Sequence, residues 1–502
     1  MRNLMLLRRF VPAIFFGTSV FAKSILFEHG TIITLDEATQ VPVALHNASL
    51  LITDDRVAAI LDSSQGDYAI PEGTERVDAT NDIISPGFID THRHVWQTFQ
   101  RTLGANSPLA VYLNRFSSGV AAIIDPEIMY YSELVGLCEA INAGVTSIVD
   151  NASGAFTEQI ADAEIQGAID SGIRSFFAYP IRRGMPGFEF EDQVRQFQSL
   201  LASERVAQSR VAIGLSYEAF DTGSEEDNQF IAELARTSNI SVLETHFVGG
   251  PMGFENSPTR LSELGILNET FPIIFVHASG LTATDINLLR STNQYIAMAP
   301  EFEMHHGTDN FNPSLVQDQA SLSVGTHYSF SGDLVSQARI WLQTVRDRLL
   351  TRKLRDFRMP TNNPMSVNQA FLLATRSGGL ALRRPDLGVI KVGAKADIAV
   401  FDGAAPGLLG WKDPVAAIIL QSHVGTVKHV LVDGSWMKRD GQLLCASNQT
   451  DVQTRFLESA RKVQQYWGET PMPAFEGQAP ITGALYDTID TLDVVRGPLN
   501  GY

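Results

Sequence analysis

The sequence predicts an α/β fold: a (β/α)8 TIM-like barrel with a small β-sandwich domain built from both ends of the chain. Three observations carry this prediction. Short apolar runs alternate with amphipathic stretches across residues 84–385, the rhythm of a parallel sheet with crossover helices. Eight such runs occur, the number that closes a barrel of this kind. Short β-type runs bracketed by turn residues flank the middle on both sides.

Taken in order, residues 1–22 read as a secretory leader. Arg2, Arg8 and Arg9 form a basic start, Phe10 to Phe21 is apolar but too short to span a membrane, and Val20-Phe21-Ala22 places small residues for cleavage before Lys23. Residues 23–83 supply the first part of the sandwich, with runs at Ser24–Phe27, Thr31–Leu35 and Ser49–Ile52. The barrel then takes residues 84–385, with strands expected at Ile84–Ile89, Ser147–Asp150, Arg174–Ala178, Val211–Ser216, Ser241–Leu243, Ile273–Val276, Tyr295–Ala299 and Leu322–Gly325. The sandwich resumes over 386–445 through Asp397–Phe401, Ala416–Gln421, Val427–Val432 and Gly434–Met437. Residues 446–502 form a terminal helix, Asp451–Gly468, and a tail.

The 502 residues are 44% hydrophobic and 19% charged, an ordinary globular balance, and the net charge of −18 argues against nucleic-acid binding. After the leader no run reaches the ~18 apolar residues of a membrane span. Cys138 and Cys445 lie far apart in sequence and are expected as buried free thiols. Sequons for N-linked glycans begin at Asn47, Asn151, Asn239, Asn268 and Asn448.

Chemistry concentrates at the strand ends. In Asp90-Thr91-His92-Arg93-His94 two histidines two residues apart share one face of a strand. Imidazole suits zinc and iron, so the pair reads as half of a metal site; a surface His-Arg-His turn is the competing reading. His246 ends strand 5 and His277 ends strand 6, so four of only 11 histidines fall where a barrel keeps its chemistry. Glu218 ends strand 4.

The run Pro86-Gly87-Phe88-Ile89-Asp90-Thr91-His92-Arg93-His94 resembles the metal motif of the amidohydrolase superfamily. Leu387 to Val400 and Val430-Leu431-Val432-Asp433-Gly434 resemble its return into the small sandwich. The likeness covers nearly all of the mature chain and is greatest to the deaminase and triazine-chlorohydrolase branch. It implies one divalent metal, zinc or iron, held by His92, His94, His246 and His277, and hydrolysis of a carbon–nitrogen bond other than a peptide bond, in a small cyclic or amide-like substrate, by metal-activated water.

Two positions depart from that pattern. Gly249 stands where the branch places a proton-shuttling glutamate, and His327, in Gly325-Thr326-His327, stands where it places a metal-binding aspartate. His327 is expected to complete the metal site or act as base. Glu301 and Glu303, in Pro300-Glu301-Phe302-Glu303, point one way if strand 7 continues and then replace the missing shuttle; a solvated pair on a loop is the alternative. Asp333 reads as a helix N-cap. Trp96, Gln97 and Arg101 follow the metal motif as candidate substrate contacts, and Arg182-Arg183 as an anion site or a solvated pair.

The partner expected is a small molecule, with neither nucleic acid nor membrane once the leader is removed; a homo-oligomer is left open. Non-hydrolytic lyase, isomerase or cyclase chemistry on a natural product, and a binder with a decayed site, are the alternatives.

Overall fold

The computed structural model describes residues 23–62, 68–308, 311–326, 328, 331–446, 448–479 and 482–491. Five strands come first: β1 (Ser24–Leu35), β2 (Pro42–Thr53), β3 (Arg56–Leu61), β4 (Glu75–Asp78) and β5 (Ile83–Pro86). The barrel follows with β6 (Phe88–His94), β7 (Val145–Asn151), β8 (Arg174–Pro180), β9 (Val211–Ser216), β10 (Leu243–Phe247), β11 (Ile273–His277), β12 (Tyr295–Met298), β13 (Ala320–Leu322) and β14 (Gly325–Thr326). The last four are β15 (Ile398–Phe401), β16 (Val427–Val432), β17 (Ser435–Arg439) and β18 (Gln442–Leu443).

Strands β6 to β12 pair in parallel, each with the next. Strand 8 is split: β13 pairs with β12 and β14 pairs with β6, which brings the sheet round on itself. Nearly every residue of these strands is buried, as a sheet covered on both faces requires. In β6 the alternation sends His92 and His94 to the mouth. Arg93, between them, is fully buried: its Nε donates to Asp90 Oδ2 at 2.6 Å and its Nη2 to the Gly332 carbonyl at 3.0 Å.

The other sheet has the order β18-β17-β16-β15-β5-β1-β2-β3, with β4 on β1. Ile25, Phe27, Ile32 and Leu50 from the start of the chain share one core with Ile398, Val400 and Leu431 from its end. Arg174, at the start of β8, ties this sheet to the barrel through Asp397 at 3.1 Å and Asp433 at 2.6 Å.

Three expectations are corrected. The first barrel strand does not begin at Ile84: Ile83–Pro86 pairs with β1 and β15 in the terminal sheet, and the chain crosses to the barrel at Gly87. There the backbone passes so close to Thr146 that a Cβ would lie 2.2 Å from its side chain. Ala416–Gln421 is helical, because Asp413 caps the backbone N–H groups of Val415 and Ala416 and Pro414 takes the first helical position. Finally, Cys138 and Cys445 are not free thiols but form a disulfide, with Cα atoms 5.6 Å apart. Helix Pro126–Asn142, which carries Cys138, packs against the last strands, a contact that a separation of 307 residues conceals.

Just beyond Cys445, helix Gln449–Glu469 packs on helix Pro126–Asn142 and on the turn Val95–Gln100. Its far end holds Arg115, whose guanidinium lies 4.5 Å over the Trp467 ring and donates to the Trp467 carbonyl. Phe116 meets Trp467 edge-on at 5.8 Å. Removing the disulfide with a thiol reductant, or as Cys138→Ser, frees a long loop in the unfolded chain and should cost about 2–5 kcal/mol. Thermal unfolding with and without reductant checks this, and equal midpoints would refute it.

Candidate active site

Four imidazoles meet at the C-terminal end of the barrel. The ring centroids of His92 lie 4.8 Å from His94, 4.9 Å from His246 and 5.9 Å from His277. His94 stacks on His246 at 5.5 Å, and ligand atoms of His92, His246 and His277 all lie within 4.8 Å of one another.

Every one of these rings is anchored at Nδ1. His92 Nδ1 meets Glu244 Oε1 at 2.7 Å, His246 Nδ1 meets Glu218 Oε1 at 2.7 Å, His277 Nδ1 meets Glu303 Oε1 at 3.1 Å, and His94 Nδ1 meets Ser153 Oγ at 3.0 Å. An ionised carboxylate accepts only, so a ring facing one carries its proton on Nδ1 and keeps Nε2 as a lone pair. The Nε2 of His92 is buried without a hydrogen-bond partner among the described residues. Lone pairs aimed together, each backed by an acceptor, are what a divalent metal requires, and the residues present fit one.

The anchors are themselves held. Glu244 Oε2 accepts from Asn151 Nδ2 at 2.8 Å, Glu218 Oε2 from the His246 backbone N–H at 2.7 Å, and Glu303 Oε1 from the Ala299 N–H at 2.8 Å. Burial opposes the Glu218 charge, but His246 beside it outweighs that and holds the carboxyl below its ordinary value. Burial pushes Glu244 well up, and burial with the neighbouring imidazoles pulls His92 and His94 well down. His277 and Ala278 both adopt left-handed backbone, with φ of 67° and 53°. Such conformations cost of order 1 kcal/mol or more in non-glycine residues and cluster at functional sites.

The imidazoles open into a cavity of about 260 Å³. Its wall is mainly apolar, from Leu109, Tyr112 and Leu113 on one side and Val248, Met252, Phe254 and Phe302 on others. Asn151, Ser153, Arg182 and Glu218 add the polar groups. Arg182 donates to the Ser153 and Ala155 carbonyls at 3.0 and 3.4 Å and lies 5.1 Å over the Phe156 ring. No carboxylate among the described residues pairs with it.

Other residues singled out by sequence stand differently. Glu301 and Glu303 do not point one way, because Pro300–His306 is a helix rather than a continued strand. Glu303 turns inward to His277, whereas Glu301 is engaged by Gln337, whose Nε2 donates at 2.9 Å. Trp96 does not line the cavity. It packs against Phe99 and Phe156 and donates to Ser153 Oγ at 3.2 Å, supporting His94 from behind.

Gln97 is likewise buried beneath the wall, donating to Tyr112 Oη at 3.2 Å. Arg101 points away, pairing with Glu139 and lying 6.0 Å from Phe456. Arg183 pairs with Asp227 rather than with the cavity. Asp333 caps helix Leu334–Arg355, accepting from the Val335 N–H at 3.0 Å. Gly249 has φ of 78°, a turn that a glutamate would adopt only under strain. His327 lies outside the described residues.

Sequence reasoning missed Glu244, Ser153 and the wall over 109–117. Glu244 was within reach: it precedes His246 by two and so shares its face of β10.

The family model of the amidohydrolases matches residues 83–437. The chain belongs to the amidohydrolase family. It is 24% identical over 431 residues to a 5'-deoxyadenosine deaminase of Methanosphaera stadtmanae, covering 84% of this chain and 97% of that one. It is 26% identical over 399 residues to a 5-methylthioadenosine/S-adenosylhomocysteine deaminase of Pyrococcus furiosus, covering 76% and 89%. Among solved structures, an adenosine deaminase from Xanthomonas campestris with bound zinc superposes with a TM-score of 0.73 at 18% identity, covering 88% of this chain and 99% of that one. A mutant of the atrazine chlorohydrolase from Arthrobacter aurescens, complexed with zinc and atraton, gives 0.70 at 21%, covering 87% and 100%. This amidohydrolase is a metal-dependent hydrolase that acts on carbon–nitrogen bonds of small molecules.

Two expectations follow from the anchors and the buried acids beside them. Glu244→Gln keeps the size of the His92 anchor but replaces its carboxyl group with an amide, and should weaken metal affinity about 10–100-fold; competition with a chromophoric chelator measures it, and unchanged affinity would exclude the anchoring role.

On β7, burial raises Asp150 to about 7 and pushes its neighbour Glu133 well up. Asp150 therefore holds a proton in the fold that the unfolded chain releases above its ordinary value of 3.8. Its contribution to stability is complete below that value and is lost as pH rises through about 7. Asp150→Asn should flatten the fall in stability over this window, as urea titrations at several pH values will show.

Proposed function

We propose that this amidohydrolase is a secreted, zinc-dependent hydrolase that displaces ammonia or an amine from a planar ring or amide-like carbon of a small, largely apolar substrate. One observation carries the reading: four convergent imidazoles, each anchored at Nδ1, at the floor of an apolar cavity.

His92, His94 and His246 would hold the metal, their ring centroids lying within 5.5 Å of one another. When bound, the metal supplies Lewis acidity toward water and substrate. The remaining steps belong to the chain. Tyr112, Leu113, Phe254 and Phe302 exclude bulk water and flank a planar substrate. Arg182 offers its remaining N–H groups to an acceptor on that substrate. His277 carries the proton: with Nδ1 held by Glu303, its Nε2 takes a proton from the attacking water and returns it to the leaving nitrogen. Glu303 thus stands in for the shuttle that Gly249 lacks, acting through His277.

The test joins elemental analysis to a panel of purine, pyrimidine, triazine and amide substrates assayed for ammonia or amine release. About one zinc per chain, lost in His92→Ala, is expected. Glu303→Gln should lower kcat roughly 10²- to 10⁴-fold while retaining the metal. Metal loss in Glu303→Gln would make His277 a ligand instead, and no release from any substrate by loaded protein would sink the reading.

Secretion is supported by the basic and apolar leader before Lys23 and by the Cys138–Cys445 disulfide, a bond that persists in oxidising compartments.

A further inference from the structure

We infer that Asn47, Asn239, Asn268 and Asn448 carry N-linked oligosaccharide, and that Asn151, which also begins an N-x-S/T sequence, does not. The inference rests on the secretory routing proposed above and adds to it the sites and their arrangement.

The four sites are exposed. Asn47 lies on β2 where its register against β1 shifts, and Asn239 follows helix Glu225–Thr237; both have left-handed backbone, with φ of 49° and 50°. Asn268 follows helix Pro258–Glu263. Asn239 and Asn268 precede β10 and β11, the strands whose other ends carry His246 and His277, so their glycans would leave from the end of the barrel opposite the cavity.

Asn448 caps helix Gln449–Glu469, accepting from the Asp451 N–H through Oδ1 at 3.3 Å. The sugar attaches at Nδ2, so the cap survives modification.

Asn151 differs at the atom that matters. Its side chain is buried at the end of β7, and Nδ2 already donates to Glu244 Oε2 at 2.8 Å and Ser216 Oγ at 3.2 Å. Transfer to a nascent chain would precede these contacts. A chain modified there could not then restore the Glu244 anchor of His92, and it would not reach this fold.

The chemistry is group transfer from a lipid-linked oligosaccharide diphosphate. Asn Nδ2 forms a bond to the anomeric carbon, the bond from that carbon to the diphosphate oxygen breaks, the lipid diphosphate leaves with the electron pair, and one amide proton passes to a base of the transferase. The exposed Asn-x-Ser/Thr segment is the acceptor.

The experiment expresses the full chain in a eukaryotic secretory host, recovers it from the medium, digests it with peptide:N-glycosidase and maps peptides by mass spectrometry. Expected are a gel shift on digestion, conversion of Asn47, Asn239, Asn268 and Asn448 to aspartate, Asn151 unchanged, and an N-terminus at Lys23. A secreted chain beginning at Lys23 with those four asparagines unmodified, or with Asn151 modified, overturns the glycan assignment while the routing stands. Absence of any one of the four overturns the assignment at that position. A chain retained in the cell with its leader intact overturns the routing and the inference with it. The Asn→Gln variant at all four positions should lose the gel shift and keep its rate of amine release.

Discussion

The site depends on the pairing of each imidazole Nδ1 with a side-chain oxygen. The pairing decides which nitrogen carries the proton, fixes the ring plane, and leaves Nε2 directed at the cavity. It also brings several acidic side chains into the barrel mouth beside the imidazoles. Buried charge without a partner is costly, and a divalent cation held by these imidazoles would supply the counter-charge. Chemistry and stability therefore meet in the same few hydrogen bonds. A decayed binding protein would have no reason to keep all of them.

The rest of the fold serves to hold those acceptors in register. Glu218, Glu244 and Glu303 come from three different βα connections or strands, so their agreement depends on the barrel closing correctly. Closure rests on the split strand 8 and on the buried Arg93–Asp90 pair, with Asp90 Oδ1 also accepting from the Val324 N–H at 3.1 Å. The terminal sheet adds a second constraint through Gly87 and Arg174, which fasten the entrance of the barrel to both ends of the chain.

Much of this was legible because it follows short periods. Alternating apolar runs announce a parallel sheet, and a spacing of two announces that His92 and His94 share a face. What escaped was set by contacts between segments distant in sequence. Ile84–Ile89 is one apolar run whether it lies in one sheet or crosses between two, and only the crowding at Thr146 shows why it must break at Gly87. The disulfide was hidden for the same reason.

The divergence of Glu301 from Glu303 was more accessible, since Pro300 marks a first helical turn and argues against a continuing strand. Trp96, Gln97 and Arg101 were placed by analogy of position, and their orientation is decided by packing from helix Pro126–Asn142 and the 109–122 segment.

The grip of Trp467 on Arg115 and Phe116 has a thermodynamic consequence. Tyr112 and Leu113, which line the cavity, belong to the same short segment as Arg115, and that segment is clasped by the end of the last helix. Coupling between sites is reciprocal. Any ligand that orders the cavity wall must tighten the carboxyl-terminal helix by the same free energy with which that helix strengthens its binding, so occupancy of the barrel mouth should be readable as amide exchange far along the chain.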